Sequence, residues 1–173
     1  MANTAARTFQ AEAEEYLLET PLGRIGLVFS PQGLRQLLIY PDTDNISTGG
    51  PEPAPIWKTE VVQALRDYFA GRAHNFDQLK LDLQGTPFQL RVWAALRLIP
   101  FGATVSYGEL ACHLGLPKAA RAVGGALRAN PLPIIIPCHR VISADGSLGG
   151  FSAGLQVKRW LLEHEQVIGE AAI

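Results

Sequence analysis

Turns rich in proline and glycine cut this chain into short segments, and their spacing limits the folds open to it. The sequence holds 12 prolines and 17 glycines among its 173 residues. Near the start, Pro-Leu-Gly and Ser-Pro-Gln-Gly separate three short apolar runs, at 15–20, 24–29 and 34–39. Such runs between tight turns are typical of an antiparallel meander. We therefore expect the first lobe to open with three strands.

The rest of the first lobe is predicted to contain a loop, a helix and an arm. Residues 41–55 are rich in Pro, Gly, Asp and Thr, which indicates a mobile surface loop. A helix is predicted over 57–70, because its apolar residues fall on one face and Gly71 follows as a stop. The arm covers 72–86, with a short strand predicted at 79–83.

The second lobe is predicted to be mostly helical. Thr86 can cap a helix that has Pro87 at its first position, and Pro100 ends the helix. A final helix is predicted over 154–167 from its apolar face. The helices between these two carry the more informative pattern.

Two short helices in the middle of this lobe surround a tight turn. Ser106 can cap the first, at 107–114, and residues 115–117 form a Gly-Leu-Pro turn. The second is predicted over 118–129, where Asn-Pro at 130–131 breaks it. Two short helices around a turn of this length are a helix-turn-helix candidate. The alternative is a helical hairpin that serves only core packing.

These patterns together predict an α/β fold with two lobes. The N-terminal lobe, residues 1–73, would join an antiparallel β-meander to one helix. A connecting arm, 74–86, would lead into a mostly helical C-terminal domain, 87–173, which holds the candidate helix-turn-helix. A chain of this length can bury a sizeable core without disulfides or structural metals.

One segment carries the residues best suited to chemistry. Residues 132–136 are apolar and β-branched and lie between two prolines, which predicts a buried extended segment. Cys138, His139 and Arg140 follow it. Cysteine attacks as the thiolate, and a neighbouring base or cation raises the thiolate fraction. The alternative is a buried cysteine beside a surface His-Arg pair.

The spacing of these residues sets a geometric condition. Adjacent side chains of an extended chain point to opposite faces. His139 can therefore reach the Cys138 sulfur only if the backbone kinks or a water molecule bridges the two, and Pro137 favours a kink. Residues 141–142 are expected to continue an extended path.

Cysteine usage narrows the class of protein. Cys112 and Cys138 form no CxxC motif, so both thiols are expected to be free in a reducing compartment. Cys112 is expected to be a small buried hydrophobe. Two thiols and four histidines argue against structural zinc. No apolar run suits a membrane span, and residues 1–12 lack a signal core, so a cytoplasmic protein with a loose N-terminal tail is expected.

Charge is distributed unevenly along the chain. Residues 1–86 hold 7 Lys/Arg against 11 Asp/Glu, whereas residues 87–173 hold 8 against 5. A basic C-terminal half indicates a polyanionic partner, although such an imbalance also arises from solvated faces alone.

A series of motifs runs in fixed order through the second half. They are Gly85-Thr-Pro-Phe-Gln, Val92-Trp-Ala-Ala-Leu, Ile99-Pro-Phe-Gly, Ser106-Tyr107, Arg121-Ala-Val-Gly124, Asn130-Pro131, Pro137-Cys-His-Arg-Val-Ile142, Leu148-Gly-Gly-Phe151 and Lys158-Arg-Trp-Leu-Leu162. In order and spacing, the stretch from Gly85 to Glu165 resembles the O6-alkylguanine-DNA alkyltransferase family. The N-terminal lobe fits the small α/β domain of that family by pattern only.

The resemblance implies that the second helix of the pair binds the DNA minor groove. Its small residues, including Ala120, Ala122 and Gly124, would let the backbone approach the sugar-phosphate chain closely. Arg121 would enter the base stack in place of the damaged nucleotide, which is flipped out because Cys138 could not reach it inside a duplex. Without the resemblance, Arg121 would be an ordinary surface arginine.

The resemblance also implies an alkyl transfer. Cys138 would be the nucleophile, and His139 would act as its base through a water molecule. Glu165 would orient His139. Tyr107 would donate its hydroxyl to the departing guanine, and Asn130 would brace the turn near the site. Without the resemblance, Glu165 would be a solvated helix charge, Tyr107 a core aromatic and Asn130 a helix C-cap.

A substrate pocket is implied at Pro133, Val141, Phe151, Ser152 and Ala153. Phe151 stands where many members of the family carry tyrosine, so a hydroxyl is lost from the pocket edge. Ala153 stands where glycine is common. Its methyl group is expected to narrow the pocket and to disfavour bulky benzyl-type adducts.

The implied partner is double-stranded DNA that contains O6-alkylguanine, with O4-alkylthymine left open. The protein would act once per molecule, as a monomer without cofactor, metal or membrane, and cooperative binding along DNA is left open. Two alternatives to this interpretation fit the sequence less well. Relatives that bind alkylated DNA without transfer have the cysteine replaced, and a cysteine hydrolase would need an oxyanion hole, for which the sequence offers no feature.

Overall fold

The computed structural model describes residues 14–40, 55–72 and 75–166. The predicted N-terminal tail and nearly all of the predicted loop at 41–55 lie outside these ranges. The elements, in chain order, are β1 Glu14–Thr20, β2 Gly23–Ser30, β3 Gly33–Tyr40, α1 Ile56–Phe69, α2 Pro87–Leu96, β4 Val105–Ser106, α3 Tyr107–His113, α4 Ala120–Arg128, a 3-10 turn Cys138–Arg140, β5 Val141–Ile142 and α5 Leu155–His164.

The first three strands form the predicted antiparallel meander, in the order β1-β2-β3. Each strand end lies within one residue of its predicted position. In the register of the sheet, Ile25 of β2 pairs with Leu18 on one side and with Ile39 on the other. Helix α1 adds Val61 and Leu65 to the same buried cluster, which makes the N-terminal lobe α/β as predicted.

The end of α1 confirms the predicted stop. Gly71 has φ +70°, a left-handed conformation that costs glycine little. Its amide donates to the Tyr68 carbonyl at 2.9 Å, and the Arg72 amide donates to the Asp67 carbonyl at 2.8 Å. These bonds satisfy carbonyls at the helix C-terminus.

The predicted strand at 79–83 is wrong. Leu81 makes only one bridge, to Leu34. The Leu34 amide donates to the Lys80 carbonyl at 2.8 Å, and its carbonyl accepts from the Asp82 amide at 2.9 Å. The arm thus passes very close to β3. A Cβ on Gly33, the first residue of β3, would lie 2.7 Å from the Lys80 carbonyl oxygen. A contact one residue long holds the arm without forming a strand.

Both predicted helix caps are confirmed. Thr86 caps α2 in a capping box with Gln89, and Ser106 caps α3 in a box with Glu109. Side-chain oxygens here satisfy amides of the first helical turn. The two helices therefore begin where their sequences place them.

Three predicted helix ends were misplaced. Helix α2 ends at Leu96, whereas the sequence predicted that it would continue to Pro100. Helix α4 begins at Ala120 and not at residue 118, and its N-cap, Ala119, makes no side-chain cap. Helix α5 ends at His164, because Glu165 is its C-cap and Gln166 takes φ +61°.

The segment 132–136 is buried as predicted, but it is a turn and not an extended segment. The Ile136 amide donates to the Leu132 carbonyl at 2.8 Å, which closes the turn. Ile134 has φ +77°, an unfavourable region for a β-branched residue, while its side chain is fully buried. Core packing therefore outweighs the local preference of these residues for extended backbone.

A parallel pairing that the sequence did not predict completes the C-terminal lobe. Val105 of β4 pairs with Val141 of β5, which sets the 3-10 turn beside the start of α3. The two lobes share one cluster of buried apolar side chains, and the Leu37 amide donates to the Pro131 carbonyl between them. No helix in the described ranges is long and apolar enough to cross a membrane.

Candidate active site

Cys138 lies at the start of the 3-10 turn and lines an open cleft of about 880 Å³. The backbone kinks at Pro137, which has φ −79° and ψ 65°. The chain is therefore not extended across Cys138 and His139, and the kink expected at Pro137 is present. The Cys138 side chain is nearly buried, with 7% of its surface exposed. A second cavity, of about 430 Å³, lies beside the arm and is not lined by Cys138.

Glu165 is the centre of a buried polar network behind Cys138. Its side chain is fully buried, and His139 Nε2 lies 2.7 Å from its Oε1. Arg140 donates from Nε to Oε2 at 2.8 Å and from Nη2 to Oε1 at 3.0 Å. Burial by itself raises the pKa of the Glu165 carboxyl, but the hydrogen bonds from His139 and Arg140 outweigh it and hold that pKa well below its usual range.

His139 is fully buried and is held as the neutral imidazole. Burial lowers its pKa, and this effect exceeds the opposing influence of Glu165. Because the ionised carboxylate accepts a hydrogen bond, we assign the ring proton to Nε2. Nδ1 makes no hydrogen bond with any atom of the described residues. The ring therefore presents an unprotonated nitrogen on the side away from Glu165, as a base requires.

The Cys138 thiol is protonated at neutral pH. Burial raises its pKa to about 11, against opposing effects of a hydrogen bond from Asn130 and the positive charge of Lys158. A neutral thiol is a weak nucleophile, so this cysteine needs a base during any reaction.

Asn130 spans the turn that precedes Cys138. Its Nδ2 donates to the Ile136 carbonyl at 2.8 Å, and its Oδ1 accepts from the Leu132 amide at 2.9 Å. The backbone amide of Asn130 donates to the Leu127 carbonyl at the end of α4. The side chain thus connects a helix end to the turn that positions the thiol.

Lys158 begins one of the motifs quoted above but was given no role from the sequence, yet it organises one wall of the cleft. It is fully buried, and its Nζ donates to the carbonyls of Val141 at 2.6 Å, of Leu148, and of Gly150 at 3.2 Å. Burial lowers its pKa to about 8, and the nearby Cys138 opposes that shift. Its place at the start of a family motif was the available signal.

Tyr107, at the first position of α3, faces the same cleft. Burial raises the pKa of its hydroxyl, while a hydrogen bond from the Gly150 amide acts against that rise. Gly149 has φ +68°, and a Cβ there would lie 3.0 Å from the hydroxyl oxygen. The glycine loop and Tyr107 therefore fit closely together.

Helix α4 forms the opposite part of the cleft. Ala120, Arg121 and Gly124 line it, whereas Ala122 is exposed and does not. Arg121 is exposed, and Arg128 lies further along the same lining. The cleft thus combines small side chains with two cations.

The predicted substrate pocket is only partly where the sequence placed it. Phe151 and Ser152 line the cleft, but Pro133, Val141 and Ala153 do not. Val141 is fully buried by its pairing in β5, and Ala153 packs against the core cluster. The methyl group of Ala153 therefore has no support from this geometry as a feature that narrows the cleft.

The prediction for Cys112 is wrong, because its side chain is exposed. The short helix α3 buries Leu110 and Ala111, and the next position turns outward. Among the described residues, no three His, Cys, Asp or Glu side chains cluster as a metal site would require.

A buried cysteine at a cleft, with a histidine and a carboxylate behind it, is typical of proteins that use a thiol nucleophile. Comparison with known families agrees and is more specific. Residues 87–167 match the family model described as 6-O-methylguanine DNA methyltransferase, DNA binding domain, and residues 15–83 match its ribonuclease-like domain. The chain belongs to the 6-O-methylguanine DNA methyltransferase family.

Individual relatives support this membership. A methylated-DNA--protein-cysteine methyltransferase of Salmonella typhimurium is 55% identical over 101 residues, which cover 58% of this chain and 59% of that protein. One of Mycobacterium tuberculosis is 46% identical over 149 residues, which cover 86% of this chain and 90% of that protein. The crystal structure of M. tuberculosis OGT in complex with DNA has a TM-score of 0.76 at 44% identity, covering 88% of this chain and 92% of that one.

Proposed function

We propose that this protein repairs DNA by transferring an alkyl group from the O6 atom of guanine, in a duplex, to the sulfur of Cys138. The observation that carries the proposal is the position of Cys138. Its thiol is almost buried and lines the cleft beside α4, and His139 and Glu165 lie behind it. The names of the relatives, each a methylated-DNA--protein-cysteine methyltransferase, support the same reaction.

The reaction is a displacement at the alkyl carbon. The sulfur–carbon bond forms as the bond between that carbon and guanine O6 breaks, and the electron pair of the broken bond leaves with guanine. The thiol proton passes to the free nitrogen, Nδ1, of His139 through a water molecule. Glu165 stabilises the resulting imidazolium through the bond to Nε2.

Tyr107 acts on the leaving group. Its hydroxyl faces the cleft, and its raised pKa keeps it protonated as a donor at neutral pH. A hydrogen bond from this hydroxyl to the guanine ring offsets the negative charge that develops as the base departs. Asn130 and Lys158 hold the two backbone segments that flank the thiol.

Access to the lesion requires that the nucleotide leave the stack. A thiol this buried cannot reach an alkyl carbon inside a duplex, so the damaged base is flipped into the cleft. The small residues of α4 let the minor groove approach, and Arg121, exposed at the cleft edge, takes the vacated position. Phosphate contacts of the basic C-terminal half make the affinity salt-dependent.

The product explains why the protein acts once. A thioether has no easy leaving group, so Cys138 is not regenerated and no cofactor takes part. We also infer a monomer that acts in the cytoplasm, since a reducing compartment keeps both thiols free. O6-alkylguanine in double-stranded DNA is the substrate, and activity on O4-alkylthymine is an outcome to be measured beside it.

Stoichiometry tests the proposal. Increasing amounts of protein are mixed with a fixed excess of duplex carrying O6-methylguanine, and the restored guanine is counted. We expect one guanine restored per protein molecule, with no further turnover. Cys112→Ala is the matched control, because it removes the exposed thiol and should leave the count unchanged.

Three results would contradict the proposal. Repeated turnover would indicate a hydrolase, and tight lesion binding without any restored guanine would indicate a non-catalytic sensor. Cys138→Ala should restore none, so that full activity in this variant would also exclude Cys138 as the acceptor.

A further inference from the structure

One buried hydroxyl in the N-terminal lobe touches the catalytic network of the other lobe. Tyr68, on α1, is fully buried, and its hydroxyl donates to Glu165 Oε1 at 2.7 Å. The same oxygen lies 2.7 Å from His139 Nε2. Arg140 Nη2 also donates to this oxygen, at 3.0 Å, so donors from both lobes meet on one carboxylate oxygen.

We propose that Tyr68 is a positioning residue for the alkyl transfer, and that its hydroxyl fixes the Glu165 carboxylate against His139. The N-terminal lobe then contributes to the reaction itself as well as to the stability of the fold. This inference rests on the proposed function, in which His139 is the base, and it assigns a role to a residue that the motifs of the C-terminal domain do not include.

The position of Glu165 explains why such a residue is needed. Glu165 is the C-cap of α5, so its backbone lies beyond the last helical turn. Its two oxygens are held from three directions: Arg140 and His139 from the 3-10 turn, the Gly102 amide at 3.3 Å, and Tyr68 from α1. Tyr68 is the contact that comes from the N-terminal lobe.

The Tyr68 ring is itself held rigidly. It packs edge-on against Phe101 and His164, at centroid distances of 6.1 and 5.1 Å, and tilted against Phe76 at 5.7 Å. His164 Nε2 also lies 2.7 Å from the Tyr68 carbonyl. A hydroxyl carried by so constrained a ring can define the position of its acceptor.

Tyr68 acts only as a donor. Burial raises the pKa of its hydroxyl, and the negative charge of Glu165 raises it further, so the proton stays on the oxygen throughout the working pH range. By donating to Oε1, the hydroxyl partly neutralises the negative charge of the carboxylate and so weakens its attraction for protonated His139. Removing the hydroxyl should strengthen the electrostatic attraction between Glu165 and protonated His139, which raises the pKa of His139. It should also let the carboxylate rotate, so that the His139 ring is held less firmly in place and transfer slows.

Several other charged or titratable groups lie near His139 and Glu165 and also affect how His139 titrates. Around His139 and Glu165 they are Cys138 and Arg140 from the 3-10 turn, Lys158 from α5 and Tyr68 from α1, with His164 packed on the Tyr68 ring. Removing the Tyr68 hydroxyl changes none of their charges. A change in the titration of His139 then reports the lost hydrogen bond.

Tyr68→Phe tests the proposal, with Tyr16→Phe as the matched control. Tyr16 lies in the same lobe, and its hydroxyl accepts a bond of 3.3 Å from exposed Arg66, far in sequence from Glu165. In each protein the imidazole titration of His139 is followed by NMR without DNA, and the rate of methyl transfer is followed from pH 4.5 to 8. Phe76→Leu reports the effect of looser ring packing alone.

We expect the His139 midpoint in Tyr68→Phe to move to higher pH by about one unit, and the transfer rate at neutral pH to fall about tenfold, the range of one hydrogen bond to a charged group. Tyr16→Phe and Phe76→Leu should keep the wild-type midpoint. An unchanged or lower midpoint in Tyr68→Phe would overturn the proposal, even if its thermal stability fell. A variant that does not fold would overturn it too, because the hydroxyl would then serve stability alone.

The failure of this inference is distinguishable from failure of the proposed function. The NMR titration needs no reaction, so it can support or overturn the contact with His139 whatever the protein does to DNA. Wild-type protein that transfers no methyl group would instead contradict the proposed function.

Discussion

At the scale of single residues, the site depends on one buried carboxylate. Glu165 accepts hydrogen bonds from His139, Arg140 and Tyr68 in a fully buried position. A buried charge is costly unless it is paired and hydrogen-bonded. Removing its charge therefore affects stability and chemistry together.

Glu165→Gln should destabilise the fold by about 3–5 kcal/mol, because it leaves the buried Arg140 cation without its counter-charge. Transfer activity should fall with it, since His139 loses the group that stabilises its protonated form. Urea unfolding gives the free energy. The matched control is Glu163→Gln, an exposed residue of the same helix, which should change stability by less than about 0.5 kcal/mol. Equal effects of the two substitutions would contradict this account of Glu165.

Stability should fall as the pH drops below about 6.5. The pKa of His139 is lower in the folded protein than its ordinary value of 6.5. As the pH falls below 6.5, His139 is therefore protonated in the unfolded chain before it is protonated in the folded protein, and the free energy of unfolding decreases. Glu165 acts in the same direction at lower pH, because its depressed pKa gives stability that is present above its usual 4.5 and lost below it. Urea midpoints measured between pH 4 and 8 check this. A flat profile would show that neither group is coupled to folding.

At the scale of elements, local signals were predicted well and tertiary ones were not. Thr86 and Ser106 could be identified as caps because a cap is a local signal, in which the capping residue directly precedes the helix it begins. The pairing of Val105 with Val141, by contrast, joins distant segments and has no local signal. The turn at 132–136 was mistaken for the same reason, since its shape comes from packing around Ile134.

The residues of the candidate site also fall into those that the sequence could indicate and those that it could not. Cys138, His139 and Glu165 were found because their motifs resemble those of a known family, and the structure brings them close together. Tyr68 and Lys158 were missed as site residues because one belongs to the other lobe and the other acts through backbone carbonyls. Such contacts exist only once the chain is folded.

Helix α4 should matter for duplex DNA and not for the chemistry. Arg121→Ala should slow transfer from O6-methylguanine in a duplex about tenfold, because no side chain then fills the position that the flipped-out nucleotide leaves in the base stack. The rate with free O6-benzylguanine should stay within about twofold, since Arg121 does not touch the thiol network. Arg159→Ala, an exposed cation on α5, is the control and should change neither rate. A similar loss on both substrates would place Arg121 in the chemistry.

At the scale of the whole molecule, the two lobes share a single hydrophobic core. One cluster of buried apolar side chains runs through both, and it includes Leu37 from the sheet and Val92 from α2. Polar contacts reinforce it, among them the bond from Tyr68 to Glu165 and that between the Leu37 amide and the Pro131 carbonyl. Separation of the lobes would expose this core and break the hydrogen bond between Tyr68 and Glu165.

The described lobes should therefore unfold in a single cooperative transition. Tryptophan fluorescence can follow each lobe separately in variants that keep only Trp57, in the N-terminal lobe, or only Trp160, in α5. Coincident urea midpoints are expected for the two probes. Two separate transitions would show that the lobes fold independently, and would weaken the case for a contact between them that serves catalysis.

The most direct test of the central claim is the mass of the intact protein after it is mixed with excess duplex carrying O6-methylguanine. We expect a single gain of one methylene unit, mapped by peptide analysis to Cys138 and absent from Cys138→Ala. The exposed thiol of Cys112 should remain unmodified. No gain in mass, or a gain that maps to Cys112, would contradict the claim that Cys138 is the acceptor.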